Sequence, residues 1–100
     1  MPADAPAFDE VIHAPHRLRI CAMLSAAQKV EFGALQQKIG LSKSALSKQL
    51  SQLVDAGYVT QEKGVRDARS RLWLALTAEG NRAYRGHVRA LQEIVAADGS

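Results

Sequence analysis

At Gly57 the hydrophobic pattern of this chain changes period, and that change limits the fold more than any other feature of its 100 residues. Before it, in "GLSKSALSKQLSQLVDAGYV", Leu46, Leu50, Leu53 and Val54 recur at i, i+4, i+7 and i+8, the stripe of an amphipathic helix. After it, "YVTQEK" and "RLWLALT" read as two strands, the second placing Leu72, Leu74 and Leu76 on one face. The Arg-rich "GVRDARS" between them, residues 64–70, is read as their turn, so the pair predicts a β-hairpin. Thr77 then caps a long helix over residues 78–97. Its Tyr84, Val88, Leu91 and Val95 follow the 4-3-4 spacing of a coiled-coil-like seam.

Upstream of the switch the signals are mainly helical. Phe8, Val11 and Ile12 form a short amphipathic turn, and Pro15 fits the first turn of a helix, where its missing N–H costs nothing. That helix ends near residues 25–28 and turns Leu18, Cys21 and Leu24 inward, with Ile20 and Met23 beside them. Val30 and Phe32 allow a short extended pair. A short helix through Leu35 and Ile39 follows, closed by Gly40, and Ser42 is a good N-cap for the next. "MPADAPA", residues 1–7, predicts a disordered tail, and residues 8–97 one domain. The order of elements is helix, short helix, helix, hairpin, long helix. That is a mainly α fold with a β-hairpin wing, a winged helix-turn-helix.

Composition narrows the function. The chain is 47% hydrophobic and 23% charged, ordinary for a globular domain. No apolar run reaches the roughly 18 residues of a membrane span and no signal peptide is visible, so a cytoplasmic, nucleoid-associated protein is expected. Cys21 is the one cysteine, which excludes an intrachain disulfide and a zinc-finger framework. The net charge is +3, and residues 42–71 carry all of it: six Lys and Arg stand there against Asp55, Glu62 and Asp67. A basic excess confined to one segment points to a polyanion. No Ser/His/Asp grouping, phosphate loop or carboxylate pair supports catalysis, and no cofactor is expected.

"FDEVIHAPHRLRICAML", "GLSKSALSKQLSQLVDAGYV" and "RSRLWLALTAEG" together resemble small single-domain winged-helix transcriptional regulators of the MarR/ArsR-like type, over about residues 8–95. The resemblance implies a regulator whose last helix makes a homodimer and which represses by blocking polymerase. It also makes Arg69 the wing arginine, with Asp67 bracing the loop. Because the spacing from Asp67 to Leu76 and Thr77 is a residue longer than the family pattern, Arg69 and Arg71 can exchange roles. Metal-sensing relatives carry paired cysteines in the recognition helix, and this chain has none there.

The residues themselves support DNA contact. Ser44, Lys48, Ser51, Gln52 and Asp55 fall opposite the leucine stripe, and no acid occurs from Gly40 to Val54. A merely solvated face normally mixes Glu with Lys. A helix in the major groove reads bases through its N-terminal half, here Ser42, Lys43, Ser44, Ser47 and Lys48, with Gln52 a turn further on. Lys63, Arg66, Arg69 and Arg71 can reach phosphates or the minor groove beside it. The different-class alternative is a winged helix that binds protein and not DNA.

Phe8, Ile12, Tyr84, Val88, Leu91 and Val95 are the expected dimer interface, which predicts a roughly palindromic operator. Cys21 reads as a buried thiol, and His13 and His16, separated by Pro15, are weak metal candidates. His87 reads as an interface or surface histidine. Trp73 faces opposite Leu72 and Leu74, and a dimer crevice beside it would admit a small apolar effector.

Overall fold

The computed structural model describes residues 5–99. Helices α1 (Glu10–His13) and α2 (Pro15–Ser25) lead into a two-residue strand, β1 (Val30–Glu31). Then come α3 (Phe32–Ile39) and α4 (Lys43–Asp55), the hairpin β2 (Val59–Arg66) and β3 (Arg69–Leu76), and α5 (Ala78–Asp98). The strands form one antiparallel sheet in the order β1-β3-β2. Val30 lies opposite Leu74, and β2 and β3 stay in register from Val59–Leu76 out to Arg66–Arg69.

The helix boundaries follow from their caps. Ser42 accepts from the Ala45 N–H at 3.1 Å and Thr77 from the Gly80 N–H at 2.9 Å, each satisfying an orphan donor of a first turn. Gly40, at φ 77°, closes α3 in the left-handed region that glycine enters without strain. Phe32 opens α3, so the extended pair at Val30 and Phe32 is realised as Val30–Glu31.

One core joins the elements. Ile20, Cys21 and Leu24 of α2 meet Leu35 and Ile39 of α3, Leu46, Leu50 and Leu53 of α4, and Val59 and Leu74 of the sheet. Within α2, Ile20 takes the inward position expected of Leu18, which is only partly buried. Ile12, expected at the dimer interface, is 0% exposed. It belongs to the core of its own chain, because the Asp9 cap turns α1 back onto that core.

The hairpin departs from expectation in length. Its strands are eight residues each and the turn is only Asp67–Ala68, both at positive φ (54° and 61°). That is the backbone twist a two-residue hairpin needs. Residues 64–70 carry no apolar alternation because the wing projects into solvent. Their strand pairing comes from backbone hydrogen bonds, which leave no mark on the hydrophobic pattern.

The N-terminal segment also differs. Of the residues expected to be disordered, 1–4 lie outside those described. Ala7 donates its N–H to Gly86 O of α5 at 3.0 Å, so residues 5–7 are docked on that helix. The two glycines of α5 mark close approaches. A Cβ on Gly80 would stand 2.1 Å from Tyr58 O, and one on Gly86 3.1 Å from Ala5 O. The C-terminal half of α5 leaves the body of the domain. The radius of gyration, 14.6 Å, accordingly exceeds the roughly 13 Å of a compact 100-residue domain.

Candidate nucleic-acid interface

Helix α4 is split by its periodicity. Leu46, Leu50 and Leu53 are buried, while Lys43, Ser44, Ser47, Lys48, Ser51 and Gln52 are exposed. Ser42 is exposed too, but its oxygen is engaged as the cap and lies 3.4 Å from Ser44 Oγ, where either hydroxyl can donate to the other. Gln49 sits at the edge of the buried stripe, where its Oε1 accepts from Arg17 of α2 at 2.8 Å. The Arg17 Nε–H also donates to Val11 O of α1. Arg17 thus braces α4 against the N-terminal helix, a role that sequence periodicity could not reveal.

The wing stands beside this helix. Lys43 and Ser47 of α4 share an open crevice of about 370 Å³ with Phe32, Ser70, Arg71 and Leu72. Further out, Arg66 and Arg69 lie directly opposite each other beside the turn, and both are exposed, as is Lys63. Val65 at the tip is 79% exposed.

Strand alternation divides these basic residues. Lys63, opposite Leu72, points to the leucine side of the sheet. Arg66, Arg69 and Arg71 share the other side with Trp73. Arg71 is not a tip residue. Its guanidinium is paired with Glu31 of β1 at 3.2 Å, and its Nε is buried without a partner. This separates the two arginines that spacing left interchangeable: Arg69 is exposed beside the turn, and Arg71 ties the wing base to β1. Trp73, opposite Glu31 and Glu62, packs its ring on Gly64 beneath Lys29 Nζ at 4.9 Å from the ring centroid.

The last helix offers a second surface. Ile94 and Val95 are 48% and 68% exposed, and Val88, Leu91, Val95 and Ala96 line an apolar groove of about 370 Å³ without Trp73. Tyr84 packs partly against its own core, whereas Phe8 remains 48% exposed. His87, expected at a surface or interface, is fully buried within the chain. The Cys21 thiol is pushed up to about 12, chiefly by burial and then by Asp9. Among the described residues, no group of three or more His, Cys, Asp or Glu is arranged to hold a metal ion, and no helix is long and apolar enough to cross a membrane.

A helix-turn-helix whose second helix exposes no acid before its last residue, with a basic β-wing, defines a class of DNA-binding domain, and the comparisons agree. The model of the winged helix DNA-binding domain family matches residues 16–95, and the chain belongs to that family. Among particular relatives, an uncharacterized protein of Methanocaldococcus jannaschii is 26% identical over 78 residues, 78% of this chain and 85% of that one. The structure of a transcriptional regulator homologue from Pyrococcus horikoshii superposes with a TM-score of 0.84 at 22% identity, over 89% of this chain and 88% of the other. NadR, solved in complex with 4-hydroxyphenylacetate, matches with a TM-score of 0.72 at 27% identity, over 89% of this chain and 62% of its own. The resemblance to MarR/ArsR-like winged-helix regulators therefore holds, and with it the transcription-regulator fold.

Proposed function

We propose that this protein is a homodimeric, sequence-specific DNA-binding regulator, acting as a repressor at a roughly palindromic operator in the cytoplasm. The observation that carries the reading is the joint exposure of Lys43, Ser44, Ser47 and Lys48 on α4, beside the wing at Ser70 and Arg71, with Arg66 and Arg69 exposed further out at its tip. In this arrangement α4 enters the major groove with its N-terminal half against base edges. Gln52 is a turn further along, and the wing arginines reach the flanking minor groove or phosphates. Lys63 and Arg71 contribute positive field beside them.

The dimer is built from Val88, Leu91 and Val95 of α5, with Ile94 and Phe8 at its margin. Burying this face removes apolar groups from water at roughly 25 cal/mol per Å². A two-fold pair sets two recognition helices about 34 Å apart, one turn of DNA. A small effector would sit at the margin of the dimer interface; among the structural neighbours, NadR was solved in complex with 4-hydroxyphenylacetate.

Binding to random duplex DNA at two salt concentrations is the test. Affinity that falls steeply with salt supports the reading, and no binding at low salt overturns it. Val95→Asp should shift the sedimentation of the free protein towards monomer, and unchanged dimer would remove α5 from the interface.

A further inference from the structure

Four groups outside the DNA-facing surface form a closed hydrogen-bond chain that the regulator reading does not use. Asp9 N–H donates to His87 Nδ1 at 3.0 Å, and His87 Nε2 lies 3.3 Å from His13 Nδ1. Tyr58 OH donates to Asp9 Oδ2 at 2.5 Å, while Asp9 Oδ1 caps α1 by accepting from the Ile12 N–H. Phe8 closes the cluster, its ring 4.7 Å from that of His13 and 4.8 Å from that of His87.

The donors decide the protonation state. A backbone N–H can only donate, so His87 Nδ1 must present a lone pair, and its ring proton sits on Nε2. That proton is then donated to His13 Nδ1, which must also be bare. A proton added to His87 Nδ1 would face the Asp9 N–H. The ring has no room to turn away, being fully buried. The Asp9 carboxylate accepts from Tyr58 OH and the Ile12 N–H and makes no hydrogen bond to the His87 ring.

We propose that His87 is an acid-released latch: its neutral ring holds residues 5–9 and α1 against α5, and its protonation frees them. Residues 5–8 have a further hydrogen-bond tie, Ala7 N–H to Gly86 O, while Tyr58 OH on Asp9 and the buried Ile12 keep α1 near the core as its Asp9 end loosens. Release reaches the recognition helix through Arg17, which grips Val11 O of α1 and Gln49 of α4. This second link rests on the DNA-binding reading.

The groups facing His87 act in opposite directions. Burial and then the neighbouring His13 hold its basicity below the ordinary 6.5, whereas Asp9 raises it. Tyr58 and Cys21, from the other elements, are both pushed up to about 12 and stay neutral, with the Arg17 guanidinium opposing the rise at Cys21. A lowered pKa in the docked state means that docking is complete above pH 6.5 and is lost as pH falls below it, towards the depressed value.

Amide exchange in the free full-length chain reads the latch. The protection factors of Ala7 and Asp9, corrected for intrinsic exchange, should fall by up to about tenfold for each pH unit below 6.5. His87→Asn keeps an acceptor for Asp9 without titrating and should make protection independent of pH. His13→Ala, at an exposed position, removes the competing charge and should move the loss to higher pH. Protection in the wild type that does not change between about pH 7.5 and about pH 5.5 overturns the latch. So does an unshifted midpoint in His13→Ala. DNA affinity over the same range should weaken in the wild type more than in His87→Asn, and equal weakening overturns the link to α4. Failure to bind DNA at either pH counts against the regulator reading and not the latch, which the exchange data decide alone.

Discussion

Replacing Arg69 by alanine gives a measurable test of how the wing meets DNA. Arg69 is exposed beside a two-residue turn and opposite Arg66, so the substitution removes a charge without disturbing packing. If each protomer loses one phosphate contact, a dimer loses two, and the slope of log affinity against log salt flattens by about 1.8. Between 50 and 200 mM salt the advantage of the wild type should therefore shrink by about twelvefold. Fluorescence anisotropy with a random and an operator duplex reads both values, and the effect should be the same for each, since a phosphate contact carries no sequence information. Arg71→Ala is the control. Arg71 is committed to Glu31, so its loss should lower stability while changing the slope less. An unchanged slope in Arg69→Ala, or an equal flattening in Arg71→Ala, would refute the division of roles drawn from the hairpin register.

Three further outcomes follow from local geometry. Gly80→Ala gains about 1 kcal/mol of helix propensity but drives a Cβ to 2.1 Å from Tyr58 O, a backbone atom that no rotamer change can move. Overpacking of this kind costs about 1–3 kcal/mol, and the Thr77 N–H to Tyr58 O bond is strained with it, so the urea midpoint should fall; a midpoint that rises would contradict the close approach. Ala68→Gly relieves a left-handed alanine and should raise the unfolding free energy by about 1 kcal/mol at most, read as a higher urea midpoint, without altering the salt slope. Cys21, with its thiol near 12, should resist iodoacetamide at neutral pH in the folded protein and react on denaturation; prompt reaction in the native state would show an accessible thiolate.

Much of this molecule was legible before any coordinates. The leucine stripe of α4, the caps at Ser42 and Thr77, the stop at Gly40 and the switch to strands after Gly57 are local properties. Each depends on residues within a turn or two, and the physics of capping and periodicity acts at that range. The run without acids from Gly40 to Val54 is visible for the same reason.

The rest depended on contacts between distant residues. Arg71 and Arg69 look alike in sequence, and only the pairing of β1 with β3 brings Glu31 to one and not the other. His87 has the apolar Ala83, Tyr84, Ala90 and Leu91 as its neighbours on α5 but a polar ring of its own, and Asp9, 78 positions away, supplies the N–H that makes its burial tolerable. Ile12 was assigned to a partner's surface because a four-residue helix shows no second face. The fold of α1 onto its own core decided otherwise. Sequence by itself determined the elements, their order and the charge of the exposed helix, because those are set by neighbours along the chain. The tertiary structure alone decided which charged and polar side chains are committed inside the domain and which remain for a partner. That outcome is fixed by desolvation and by where the few available hydrogen-bond partners fall in space.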